Sequence, residues 1–204
     1  MADHVMNASH VPTTHLLYLH GFRSSPLSAK ARMTAAAVAN RHPDVTWLCP
    51  ALHASPRQAM DNVRQAMTDW PHESMAVMGS SLGGFYATWL AEQFGCRAVL
   101  LNPAVNPARD LAAQLGEHAL WHDATQSFTF EQSHVDELKA LQIPRISHPE
   151  RYFAVIAKGD EVLDWREMLG HYPGATGKLL AAGDHALSDF DQHLDDALGF
   201  LMLV

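Results

Sequence analysis

Long apolar runs are missing from this chain: no segment approaches 18 continuous apolar residues, so no membrane-spanning helix is expected. Cysteine is nearly absent as well. Cys49 and Cys96 lack CxxC spacing and are too few for a disulfide framework, which implies buried thiols in a reduced, cytoplasmic protein. Positive charge is short, with 14 Lys and Arg against 22 Asp and Glu and a net charge of −8. No basic run offsets that balance, so neither nucleic acid nor an anionic membrane is expected as a partner. The first dozen residues, MADHVMNASHVP, lack the apolar core of a signal peptide, and a loose N-terminal extension is expected over residues 1–14. Repeats, low-complexity tracts and linkers are missing too. What remains, residues 15–204, suits one domain able to bury most of its apolar surface.

Within that domain, short apolar runs alternate with longer helical patterns. Strands are expected at 15–21, 45–50, 75–80, 97–103, 151–159 and 177–183. Helices are expected at 27–40, 55–70, 82–94, 131–142 and 187–203, with Ser55 and Pro56 at the start of the second and Gly95 ending the third. Strands separated by helices need crossover connections, which predicts an α/β fold with a doubly wound, mostly parallel sheet covered on both faces. Ligands then bind beyond the carboxyl ends of the strands, at loops 20–25, 50–54, 79–83, 103–106, 159–163 and 183–187. Residues 104–150 interrupt the alternation and are expected to cover that edge as a lid.

Gly79-Ser80-Ser81-Leu82-Gly83 fits G-x-S-x-G where a strand gives way to a helix, the setting of a nucleophile elbow. The residues two before and two after the nucleophile must be small. Around Ser81 they are Gly79 and Gly83, whereas around Ser80 they would be Met78 and Leu82, so Ser81 is the expected nucleophile. A serine needs a base, and the base an orienting acid, in chain order Ser, acid, His on this fold. Asp160 directly follows the strand at 151–159 and His185 follows the strand at 177–183, on the required edge. Among the rivals, Asp164 fits better as the N-cap of a capping box with Glu167. Glu161 is expected to point toward solvent and Asp184 to face out of its loop. The oxyanion donors are expected to be the backbone N–H groups of Leu82 and of Phe22 in the HGFRSS loop, with His20 bonding inside that loop. Arg23, Ser24 and Ser25 either line the substrate entrance or only shape a turn. Trp121, Phe128 and Phe130 either form an apolar acyl pocket or pack as the core of the lid. His118 and His122 stand at i,i+4 but have no third ligand or HExxH pattern, so no metal is expected.

Together these residues resemble the α/β-hydrolase superfamily and, within it, the small bacterial esterases of the YqiA type. The resemblance is carried by LLYLHGFRSSPLSAKA (16–31), GSSLGGFYATWLAE (79–92), LLNPAVNP (100–107), IPRISHPERY (143–152), GDEVLDW (159–165) and GDHAL (183–187). It implies hydrolysis of small or medium acyl esters without metal or organic cofactor, through Ser81, Asp160 and His185. Acyl-CoA or other thioesters are the alternative substrates for the same residues. A non-catalytic hydrolase-fold protein that binds a ligand in its cleft is the alternative of another class. Oligomeric state is left open.

Overall fold

The computed structural model describes residues 11–121 and 123–204. Its chain runs β1 (His15–Leu19), α1 (Ala29–Arg41), β2 (Thr46–Leu48), α2 (Pro56–Ala66), β3 (Met75–Ser80), α3 (Leu82–Phe94) and β4 (Arg97–Leu101). It continues with α4 (Pro107–Asp110), β5 (Gly116–Ala119), β6 (Ser127–Phe130), α5 (Gln132–Ala140), β7 (Tyr152–Ala157), α6 (Trp165–His171), β8 (Thr176–Leu180) and α7 (Leu194–Leu201). Six strands form one sheet in the order β2-β1-β3-β4-β7-β8, every pair parallel. This is the expected doubly wound α/β fold.

The period-2 alternation of the strands builds two cores. Leu17, Leu19, Val77, Ala98 and Leu100 face one side, in a cluster with Met60 and Val63 of α2, Leu90 of α3 and Leu138 of α5. Leu16, Tyr18, Ala76, Met78 and Val99 face the other, with Val38 of α1 and Ala197 and Leu201 of α7. The strand order reverses around β1: the chain steps out to β2 and returns to β3 on β1's other side. A crevice opens at that reversal, outside the carboxyl ends of β1 and β3. The loops leaving those two strands carry Phe22 and Ser81.

Three departures from expectation have local causes. Helix α7 begins at Leu194 rather than 187, because Leu187 takes a left-handed φ of 49° and Asp184 bonds Ser188 through both its N–H (2.9 Å) and its Oγ (2.6 Å). The segment 104–150, expected as a lid, contains α4 and an unforeseen antiparallel hairpin, β5 with β6, ahead of α5. Gly116–Ala119 has no apolar alternation, and Ser127–Phe130, which alternates, is only four residues long and too short to stand out by itself. Of the expected N-terminal extension, residues 1–10 lie outside the described residues. The looseness expected up to residue 14 does not reach Thr13, which is buried and donates its N–H to Met202 O (2.8 Å) and its hydroxyl to Leu201 O (2.6 Å). Among the described residues, no helix is long and apolar enough to cross a membrane.

Candidate active site

Ser81 stands between β3 and α3 at φ 55°, ψ −122°, a conformation that strains any residue with a Cβ. It occupies the N-cap position, yet its side chain makes no capping bond, which leaves Oγ available. The turn is held from the neighbouring strand: Ser81 N–H donates to Leu101 O (3.0 Å) and Ser81 O accepts from Ala104 N–H (3.0 Å). The flanking glycines permit it. A Cβ at Gly79 would lie 2.1 Å from Gly83 O, and one at Gly83 would lie 1.9 Å from Leu19 O. Their smallness is thus required by the close approach of α3 to β3 and β1. Gly84 plays the same part against Pro103, where a Cβ would come within 2.7 Å. Ser80 is buried in the turn.

The three residues singled out in the sequence come together here. Ser81 Oγ lies 3.0 Å from His185 Nε2, and His185 Nδ1 lies 2.8 Å from Asp160 Oδ2. The Asp160 side chain is 0% exposed, and its Oδ1 accepts from Val162 N–H and Leu163 N–H, each at 2.8 Å. With Oδ1 occupied, Oδ2 is left for the imidazole. An imidazole that donates from Nδ1 to Oδ2 presents Nε2 as an acceptor to the serine hydroxyl. Asp164 is the N-cap of α6 as expected, donated to by Arg166 N–H (2.9 Å). Glu167 does not complete a capping box with it. Its carboxylate instead takes a bidentate pair from Arg109 at 2.9 and 2.6 Å. Glu161 is exposed but does not simply point away, since its Oε2 accepts the backbone N–H of His185 (3.0 Å).

Leu82 and Phe22 border a cleft of about 350 Å³ together with Ser81 and His185. Leu82 opens α3, where N–H groups lack intrahelical partners, and Phe22 follows Gly21, whose Cβ position is 3.2 Å from Ser81 Cβ. His20 bonds beyond its own loop as well as within it: Nε2 accepts from Leu52 N–H (3.1 Å), so Nδ1 donates to Gly21 O (3.0 Å). Ser25 shapes a turn, accepting from Leu27 N–H (3.1 Å). Arg23 and Trp121 border the cleft with Ser81, whereas Phe128 and Phe130 border a second cleft of about 280 Å³ on the other side of Phe22. Phe130 is 2% exposed and packs edge-on to Phe22 at 5.3 Å, so it is a core residue that also backs a pocket wall. Trp121 is 71% exposed. His118 bonds Gln114 O (2.6 Å) and packs on Phe22; its expected neighbour His122 lies outside the described residues.

Sequence reasoning passed over the residue that joins these loops. Asn102, at the end of β4, is fully buried at φ 41°. Its Nδ2 donates to Asp184 O (2.9 Å) and His185 O (3.3 Å), and its Oδ1 accepts from Ala157 N–H (2.8 Å), three residues before Asp160. Lys30 of α1 holds the next carbonyl, donating to Ala186 O; burial lowers its amine to about 8. Three consecutive carbonyls of the His185 loop are therefore held by side chains from other elements. Gly159 and Gly183 let the two loops meet, since a Cβ at Gly159 would lie 2.1 Å from Gly183 O. The available signal was an Asn placed on the same sheet edge as Ser81, within LLNP. Asn102→Asp keeps the acceptor and a residue that tolerates left-handed φ, but removes both donations. It is expected to lower kcat by about 10- to 100-fold with little change in KM, as misplacement of a reacting group does.

The sequence matches the model of UPF0227, described as an uncharacterised protein family, over residues 15–202. A UPF0227 protein of Serratia proteamaculans (strain 568) is 25% identical over 154 residues, covering 73% of this chain and 77% of that protein. A structure of the metagenome-derived lipolytic enzymes LipS and LipT superposes with a TM-score of 0.67 at 21% identity, covering 94% of both chains. Mouse alpha/beta hydrolase domain-containing protein 10 gives 0.67 at 14% identity, over 96% of this chain and 98% of that one. Est1E of Butyrivibrio proteoclasticus gives 0.67 at 13% identity, over 96% and 89%. The α/β-hydrolase fold rests on these likenesses.

Proposed function

The chain belongs to the UPF0227 family, and on that premise we propose that it hydrolyses carboxylic esters of small or medium acyl groups through an acyl-enzyme on Ser81. The observation that carries this reading is the line Ser81 Oγ, His185, Asp160, with contacts of 3.0 and 2.8 Å at a strained strand-to-helix turn. His185 Nε2 takes the hydroxyl proton as Oγ attacks the acyl carbon. Asp160 orients the imidazole and stabilises it once charged. The N–H groups of Leu82 and Phe22 hold the oxyanion. Collapse of the tetrahedral intermediate breaks the bond to the alcohol, which leaves with the proton from Nε2. Nε2 then deprotonates a water, which attacks the acyl carbon. Collapse of this second tetrahedral intermediate breaks the acyl–Oγ bond and releases the carboxylic acid, and His185 Nε2 returns the proton to Ser81 Oγ. No step needs a metal or an organic cofactor.

The lipolytic and esterase names of the similar structures support an ester substrate. Thioesters share the acyl-enzyme chemistry and stay within the same proposal. A reduced cytoplasmic setting agrees with two free cysteines whose thiols burial pushes up to about 12, keeping them protonated and inert. A fluorophosphonate probe is expected to label folded protein once, on the peptide containing Ser81, as read by mass spectrometry. Folded protein that hydrolyses no aryl ester and takes no label points to a cleft that only binds. Matched oxygen and sulfur esters, compared by kcat/KM, assign the leaving group.

A further inference from the structure

Among the described residues, the arginine beside Phe22 has no partner of opposite charge. Arg23 Nε donates to Ala119 O (3.0 Å), its carbonyl accepts from Trp121 N–H (2.9 Å), and its guanidinium lies 4.0 Å from the centre of the Trp121 ring. These contacts fix the side chain without neutralising it. Among the described residues, no carboxylate forms an ion pair with Arg23. Arg23 borders both clefts, the one with Ser81 and the one beyond Phe22. Among the described residues, the second cleft has no acidic residue in its wall, and the one in the first, Asp110, shares Arg109 (2.7 Å) with Glu167. In a chain of net charge −8, Arg23 thus places a fixed positive charge in the wall of both clefts. A fixed, unpaired guanidinium in a concave, partly apolar setting is what carboxylate recognition requires.

We propose that Arg23 is an anion subsite and that the preferred substrate is an ester carrying a carboxylate away from the scissile bond. This rests on the ester-hydrolase reading above. One guanidinium with Nε engaged offers its two Nη groups, a fork suited to the two oxygens of a monoanion. Among the described residues, Arg23 is the only Lys or Arg in the wall of either cleft, so no second cation stands beside it there to match a phosphate dianion; Lys30 lines a different pocket, which Arg23 does not border. The carboxylate belongs to the acyl group or to the alcohol, according to which cleft each occupies, and substrates of both kinds distinguish the two.

The test compares kcat/KM for an aryl hemiadipate with the matching aryl hexanoate, and for the butyrate of 4-hydroxybenzoate with that of 4-hydroxybenzamide, after subtracting uncatalysed hydrolysis. For at least one pair the acidic ester is expected to be preferred in the wild-type protein. That preference is expected to shrink in high salt, to fall about tenfold or more in Arg23→Gln, to persist in Arg23→Lys, and to reverse in Arg23→Glu. Because each variant supplies its own neutral reference, loosening of the lid cannot imitate the result. Equal rates on acidic and neutral esters, or a preference that Arg23→Gln leaves intact, overturns this proposal alone. A wild-type protein that hydrolyses none of the four overturns the ester-hydrolase reading and the subsite with it.

Discussion

Ser81→Gly is expected to give a protein that is both more stable and inactive. The φ of 55° with ψ of −122° belongs to the part of backbone space that glycine enters freely. A residue with a Cβ held there carries roughly 1–3 kcal/mol of strain, while glycine costs ~0.5–1 kcal/mol more chain entropy on folding. The difference favours glycine by about 1 kcal/mol, a rise in Tm of roughly 2–4 °C for a chain of this size. Ser81→Ala keeps the Cβ and therefore the strain, so its Tm is expected to stay near that of the wild type. Both variants lose Oγ, and kcat is expected to fall about 10⁶-fold in each, the scale seen when a triad nucleophile is removed. The pair separates stored strain from chemistry. A glycine variant no more stable than the alanine variant contradicts a strained elbow, and an alanine variant with near wild-type hydrolysis contradicts Ser81 as nucleophile.

That strain shows why some of the site could be recognised from sequence and some could not. The elbow is local: a buried strand over 75–80, two small residues around Ser81 and a helix over 82–94 are written in consecutive residues, and β3 and α3 match those bounds. Asp160 and His185 are legible from their order along the chain and from the rule that ligands gather at the strands' carboxyl ends. Asn102 escaped because its role exists only when β4 lies between β3 and β7. From one strand end it reaches the loops of both Asp160 and His185, and no spacing in sequence encodes that reach. Gly159 and Gly183 escaped for a similar reason, since each looked like ordinary turn punctuation until the two backbones were placed in contact. The Arg109–Glu167 fork was hidden because a local capping pattern accounted for Glu167 by itself.

Asp160→Asn is expected to lower kcat by about 10⁴-fold while leaving KM and Tm close to wild type, and the hydrogen bonds around the carboxylate explain why. Oδ1 accepts two backbone N–H groups, from Val162 and Leu163. In the variant, the amide oxygen has to take that place, because an amide NH₂ there would meet two donors. The NH₂ then faces His185 Nδ1, which can pair with it only as an acceptor. The imidazole is driven to carry its proton on Nε2, where it can no longer receive the Ser81 proton. Glu161 cannot stand in, since its carboxylate already accepts the backbone N–H of His185 from the exposed side. Asp164→Asn is the control: its side chain caps α6 and touches neither His185 nor Ser81, so its kcat is expected to stay within a few-fold. The fluorophosphonate labelling rate is expected to fall in parallel with kcat in Asp160→Asn, because phosphonylation needs the same proton transfer. Labelling that stays fast while turnover collapses would instead place Asp160's contribution in deacylation, where His185 must activate water without the serine hydroxyl to position it.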